Sequence, residues 1–146
     1  MIFRSKVDNF FVAIISILIL LIGLGTLLPL FIDKNTDLID VIVMSGLFIF
    51  LEGIVVWTSF SIQYVFYDDF LFVRGGPFRS KIPYQKITMV SQTNDIFTGY
   101  RILSSKQGLE IFNSSTIFGS VKISPKNKKE FIDELKKRCP NVHRQE

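Results

Sequence analysis

FFVAIISILILLIGLGTLLPLFI, running from Phe10 to Ile32, is 23 residues without one charge. As an α-helix rising about 1.5 Å per residue it would cover roughly 34 Å, enough to cross a hydrocarbon core of about 30 Å. A helix in a soluble core keeps a polar stripe toward solvent, and this stretch has none. Arg4 and Lys6 precede it, as in a signal peptide. The apolar run is nevertheless far longer than a cleavable h-region, and no A-x-A-like site follows. The stretch is read as a retained transmembrane helix.

A second apolar stretch, VIVMSGLFIFLEGIVVWTSF, spans Val41 to Phe60 and is also long enough to cross. Trp57 lies near its end, where an amphipathic ring favours the membrane interface. The polar DKNTDLID between the two stretches is too short for anything but an antiparallel hairpin. Arg4 and Lys6 flank the first helix on one side and only Lys34 lies in the loop, while Asp33 to Asp40 nets −2. The excess of basic residues on cytoplasmic flanks then places both termini in the cytoplasm and the acidic loop outside. The expected location is the cell membrane, multi-pass.

Glu52 is the one ionisable residue inside either stretch, and neither contains Lys, Arg or His to pair with it. Intramembrane carboxyls are costly and often functional. The structural reading is a carboxyl hydrogen-bonded to a backbone carbonyl, or to Ser or Thr of a neighbouring helix. The functional readings are a proton or ion site, or the glue of a dimer.

From Ser61 the periodicity changes to two. In SIQYVFYD, Ile62, Tyr64 and Phe66 alternate with Gln63, Val65 and Tyr67, the pattern of a strand. Asp68-Asp69 reads as a turn, FLFVRGG as a returning strand, and Gly75-Gly76-Pro77 as its breaker. FRSKIPY, KITMVSQT, YRILSS, GLEIF and SVKIS bring the total to about seven strands with short connections. The chain then turns helical. Ser124-Pro125 is the start signal, Phe131, Ile132 and Leu135 form the apolar stripe, and Pro140 is the stop. The expected architecture is a two-helix transmembrane hairpin plus a mainly-β small barrel with one C-terminal α-helix. Residues 1–60 would hold an N-terminal tail and the two helices (about 10–32 and 41–60), and residues 61–146 the cytoplasmic domain.

Seven strands and a C-terminal helix is the layout of the pleckstrin-homology (PH) fold. YVFYDDFLFVRGGPFRSKIPYQKI, then LSSKQGLEIF, then VKISPKNKKEFIDEL resembles the YyaB-like family of bacterial PH-domain membrane proteins, over roughly Tyr64 to Leu135. Ile123 to Leu135 is the most specific part. The resemblance implies a PH-like fold beside a membrane anchor and carries no catalytic residues. In layout only, the chain is also similar to bacteriocin-immunity proteins that join an anchor to a PH-like domain.

The chemistry that is missing narrows the function. No H-E-x-x-H, G-x-S-x-G, Walker A or G-x-G-x-x-G string occurs. Cys139 and His143 are the only Cys and His, too few to close a zinc shell and set in a polar tail unsuited to nucleophilic catalysis. No enzyme activity, catalytic residue, metal or cofactor is expected. Ser61 to Glu146 carries 14 Lys/Arg against 8 Asp/Glu, a net of +6. Arg74, Arg79 and Lys81 flank the Gly-Gly-Pro turn. If the barrel follows the second helix without a linker, that turn comes back beside the bilayer, and these three become candidate contacts for anionic lipid headgroups. Lys126, Lys128, Lys129, Lys136, Lys137 and Arg138 form a second basic group, partly neutralised by Glu130, Asp133 and Glu134. Nucleic acid is not an expected partner: Tyr84 and Tyr100 could stack bases, but a tethered domain meets lipid or protein first. The expected function is a non-enzymatic, membrane-tethered binding or scaffold module at the inner leaflet. Its partners would be the lipid bilayer, its anionic headgroups, a membrane protein or a second copy of the chain. Alternatives are an immunity or membrane-protection protein against a bacteriocin or toxin, and a small transport accessory subunit using Glu52.

Overall fold

The computed structural model describes residues 1–95, 97–140 and 142–145. Two long helices, α1 (Asn9–Ile32) and α2 (Leu38–Phe60), pack against each other as an antiparallel pair. Asp8 caps α1 by accepting the Phe11 N–H at 2.8 Å. Asp37 and Asp40 form a reciprocal capping box at the start of α2, satisfying amide donors that a helix N-terminus leaves unpaired. At the helix contact Gly23 lets Phe48 approach, and Thr26 turns its hydroxyl back to the Ile22 carbonyl at 2.7 Å.

The pair does not bury its own apolar surface. Only 11% of the most apolar window of α1, and 0% of that of α2, is buried. A core helix in water would be covered, so these are exposed helices long and apolar enough to cross a membrane.

The remainder is two sheets closed over one core. The first sheet is antiparallel, in the order β1 (Ile2–Arg4), β2 (Gln63–Phe66), β3 (Phe70–Gly75), β4 (Phe78–Pro83). A 3-10 turn, Tyr84–Lys86, leads to the second sheet. Its strands are β5 (Ile87–Thr93), β6 (Arg101–Ile102), β7 (Gly108–Asn113), β8 (Ser120–Ile123) and β9 (His143–Gln145), in spatial order β6-β8-β7-β5-β9. β6 runs parallel to β8 and β9 parallel to β5, with the other pairs antiparallel. Helix α3 (Lys128–Arg138) lays Phe131, Ile132 and Leu135 on the core. Alternate residues point inward along the strands, including Tyr64, Phe66, Leu71, Val73, Ile111, Val121 and Ile123, as strand periodicity requires.

The expected hairpin, β-barrel and C-terminal helix are all present, with differences at the ends. Among the described residues there are nine strands rather than about seven. Residues 2–4, read as part of a tail, form β1 and pair with β2. Phe3 enters the core, edge-on to Phe66 at 5.6 Å and Phe131 at 5.3 Å. Three residues are too few for alternation to register, so only pairing with β2 makes them a strand. Ser124-Pro125 does not begin α3 either. The Ser124 hydroxyl is held inside the barrel, Pro125 bridges to Ser5, and α3 begins at Lys128 after Asn127.

Candidate functional site

Both helices leave the barrel at one end, through short, bonded joints. Asp8, besides capping α1, accepts the backbone N–H of Lys106 at 2.7 Å and the Ser105 hydroxyl at 2.9 Å. At the other joint, the Ser61 hydroxyl accepts the Gly76 N–H at 2.8 Å. Gly76 has φ +57° and lies so close to α2 that a Cβ there would come within 2.9 Å of the Thr58 Cα. The β3–β4 turn is therefore packed on the last turn of α2, and only glycine meets both its conformation and its clearance.

Beneath these joints lies a knot of buried hydroxyls. Tyr64 donates to the Ile102 carbonyl at 2.7 Å and accepts from the Ser124 N–H at 3.0 Å. Ser5 lies 2.8 Å from the Ser124 hydroxyl and 3.1 Å from that of Ser104, and Ser104 reaches the Ser59 carbonyl of α2 at 3.3 Å. Burial raises the Tyr64 pKa to about 12, so the phenol stays protonated and keeps donating. A satisfied buried network of this kind orients the elements it joins.

The strand register then assembles a row of arginines at the same end. Arg4 pairs with Gln63, Gln63 with Arg74, and Arg74 with Arg79. Residues directly opposite in antiparallel strands share a face, with Cβ atoms about 5 Å apart. Arg4, Gln63, Arg74 and Arg79 thus form one line across four strands on the outer face. The three arginines are exposed, and none has a salt bridge among the described residues. Like charges set opposite each other cost stability, a cost that an anion beside the row would relieve. Lys81, one row farther out, pairs with Phe72 and sets its amine 5.6 Å from the Phe70 ring centre.

The three basic residues singled out around the turn therefore share the outer face of one sheet, with Arg74 and Arg79 adjacent and Lys81 a row away. Sequence reasoning missed Arg4 as a member of the site, because its place depends on β1 joining the sheet. Two basic residues of α3 turn elsewhere. Arg138 and Lys137 pair with Glu134 at 2.8 and 3.7 Å, and Arg138 also donates to the Tyr67 carbonyl beyond the far end of β2.

Glu52 behaves differently from the expectation of a hydrogen-bonded carboxyl. Its Oε1 is buried without a hydrogen-bond partner. Cys139 is buried, its thiol 3.7 Å from the Tyr84 carbonyl, and burial pushes its pKa up to about 11. Such a thiol is a poor nucleophile near neutral pH. Among the described residues no group of three or more His, Cys, Asp or Glu is placed to hold a metal ion.

A two-sheet barrel closed by a C-terminal helix and carried on an apolar helix pair defines a PH-like domain on an anchor-like hairpin. The family model for the bacterial PH domain matches residues 62–139, and the chain belongs to that family. It is also similar to "Uncharacterized protein YyaB" of Bacillus subtilis (strain 168), at 29% identity over 147 residues, covering 97% of this chain and 95% of that protein. The similarity thus extends through the helix pair, whereas the family match begins only after α2.

Proposed function

We propose that this chain is a non-enzymatic, membrane-tethered binding module whose barrel lies against the inner leaflet of a bacterial cell membrane. The observation that carries this reading is the arginine row of Arg4, Arg74 and Arg79 at the end of the barrel from which both apolar helices depart. If α1 and α2 cross the bilayer, β1 and the barrel lie on one side of it, because β1 is a strand of the barrel. The short joints leave no linker to carry the row away from the headgroups. Three arginines at that depth favour anionic lipid by about 1 kcal/mol each, and Lys81 adds a fourth charge one row farther away. Because the row and Lys81 occupy the outer face, the barrel interior remains a packed core and the site acts by contact rather than by chemistry.

The test keeps β1 with the barrel by replacing residues 9–60 with a short flexible linker. This soluble version should cosediment with vesicles rich in phosphatidylglycerol and not with phosphatidylcholine vesicles, and added salt should weaken the binding. Replacing Arg4, Arg74 and Arg79 by Gln should weaken it by roughly two orders of magnitude. A folded domain that ignores anionic vesicles at low salt would remove lipid as the partner and leave a membrane protein or a second copy.

A further inference from the structure

A cleft of about 310 Å³ opens where the helix pair meets the barrel, within the size range of small-ligand sites. One wall is the first two turns of α1, with Phe11, Ile14 and Ile15. The other is the end of the barrel, with Ile62, Ile102 and Phe97. Among the described residues that line it, Arg101 is the one ionisable group.

The cleft is continuous with the apolar outer surface of α1, on which Phe10 and Ile14 are exposed. One side of its rim is tied to the barrel by hydrogen bonds. Phe97 rides on the β5–β6 connection, which Lys122 clamps from below, donating to Asp95 at 2.9 Å and to Thr98 at 3.1 Å. Asp95 in turn accepts the N–H groups of Phe97 and Thr98 at 3.1 and 3.3 Å. Phe97 and Phe78 stay 69% and 55% exposed at the rim, a costly arrangement in water and a favourable one at the boundary between headgroups and acyl chains. Apolar walls give water in such a space few partners, whereas an acyl chain needs none. A guanidinium beside it suits a phosphate, which arginine binds through paired N–H donors.

We propose, on the membrane-tethered reading above, that this cleft holds one acyl chain of an anionic phospholipid from the surrounding leaflet, with Arg101 beside the lipid phosphate. The site is separate from the arginine row, which lies on the outer face of the first sheet. The lipid would act as a wedge between hairpin and barrel, filling a joint that the protein's own side chains leave open.

Full-length protein, extracted in mild detergent and washed free of bulk lipid, is titrated with phosphatidylglycerol or phosphatidylcholine and read by native mass spectrometry. One phosphatidylglycerol should be retained per chain, preferred over phosphatidylcholine by about fivefold. Ile14→Trp, which fills the cleft from α1, should cut retention of either lipid about tenfold. Arg101→Gln should erase the headgroup preference, and Arg101→Lys should keep part of it. Circular dichroism checks the fold of each variant, and the exposed Arg101 keeps the test decisive if Ile14→Trp fails to fold. Equal retention by wild type and folded Ile14→Trp, or the same headgroup preference in Arg101→Gln as in wild type, overturns the proposal. A chain that stays in aqueous solution without detergent would sink the membrane reading itself.

Discussion

The carboxylate of Asp8 accepts the backbone N–H of Lys106 at 2.7 Å, joining the start of the first helix to a loop 98 residues later in the chain. Asp8→Ala removes this bond, the Ser105 bond and the helix cap together, and should cost about 1–2 kcal/mol of stability. Burial pushes the Asp8 pKa up, but the N–H groups of Phe11 and Lys106, the Ser105 hydroxyl and Lys6 outweigh it, so the net value falls below 3.8. A carboxylate with a depressed folded-state pKa adds stability above its unfolded pKa, and that stability is lost as pH falls through the folded value. The Tm difference between wild type and Asp8→Ala should therefore hold at neutral pH and shrink below about pH 4. A pH-independent difference would mean that the charge of Asp8 contributes nothing.

Phe3 is 6% exposed in a cluster with Phe66 and Phe131. Phe3→Ala should destabilise the barrel by about 3–5 kcal/mol, measured by urea unfolding of the full chain in detergent. A fragment of residues 61–146 should fold poorly, since it lacks Phe3 and exposes the edge of β2. Wild-type-like stability in that fragment would show that β1 is dispensable.

Cys139 should report folding rather than topology. It is buried, with its pKa raised by that burial, so a maleimide should label it slowly in native protein and rapidly in urea. Topology is better read from exposed positions. With Cys139→Ala as background, Asn35→Cys should react with an impermeant maleimide in intact cells, and Ser114→Cys only after permeabilisation. The reverse pattern would put the barrel outside the cell and end the inner-leaflet reading.

Glu52 leaves one buried carboxyl oxygen unpaired in the helix pair. An orphan polar atom costs about 1–3 kcal/mol, so Glu52→Leu should raise the thermal stability of the detergent-solubilised protein. Glu52→Gln should leave expression and oligomeric state unchanged, and Glu52→Lys should impair insertion. Loss of function in Glu52→Gln with assembly intact would point to proton chemistry, and loss of oligomers to a contact between copies.

The hairpin and most of the strands were legible because each rests on a local signal. An uncharged run longer than a bilayer is thick, and an alternation as regular as Ile62, Tyr64, Phe66, need no knowledge of the rest of the chain. The candidate site was legible in part. Arg74 and Arg79 flank a turn that Gly75-Gly76-Pro77 announces, so their proximity could be inferred. Arg4 could not be added, because nothing local to IFR says that it pairs with a strand 60 residues away.

The sequence by itself determined two membrane-length apolar helices, a β-rich basic domain after them, and the absence of recognisable catalytic motifs, since composition and period are properties of contiguous residues. Only the tertiary structure decided that the N-terminus completes the barrel, that Ser124 serves a buried hydroxyl network instead of capping α3, and that Arg4, Arg74 and Arg79 stand in one row. Each of these depends on cross-strand register or on a hydrogen bond between distant segments. Such long-range pairings are selected by the burial of the whole core, with Phe3 packed against Phe66 and Phe131, and not by the propensity of any short stretch.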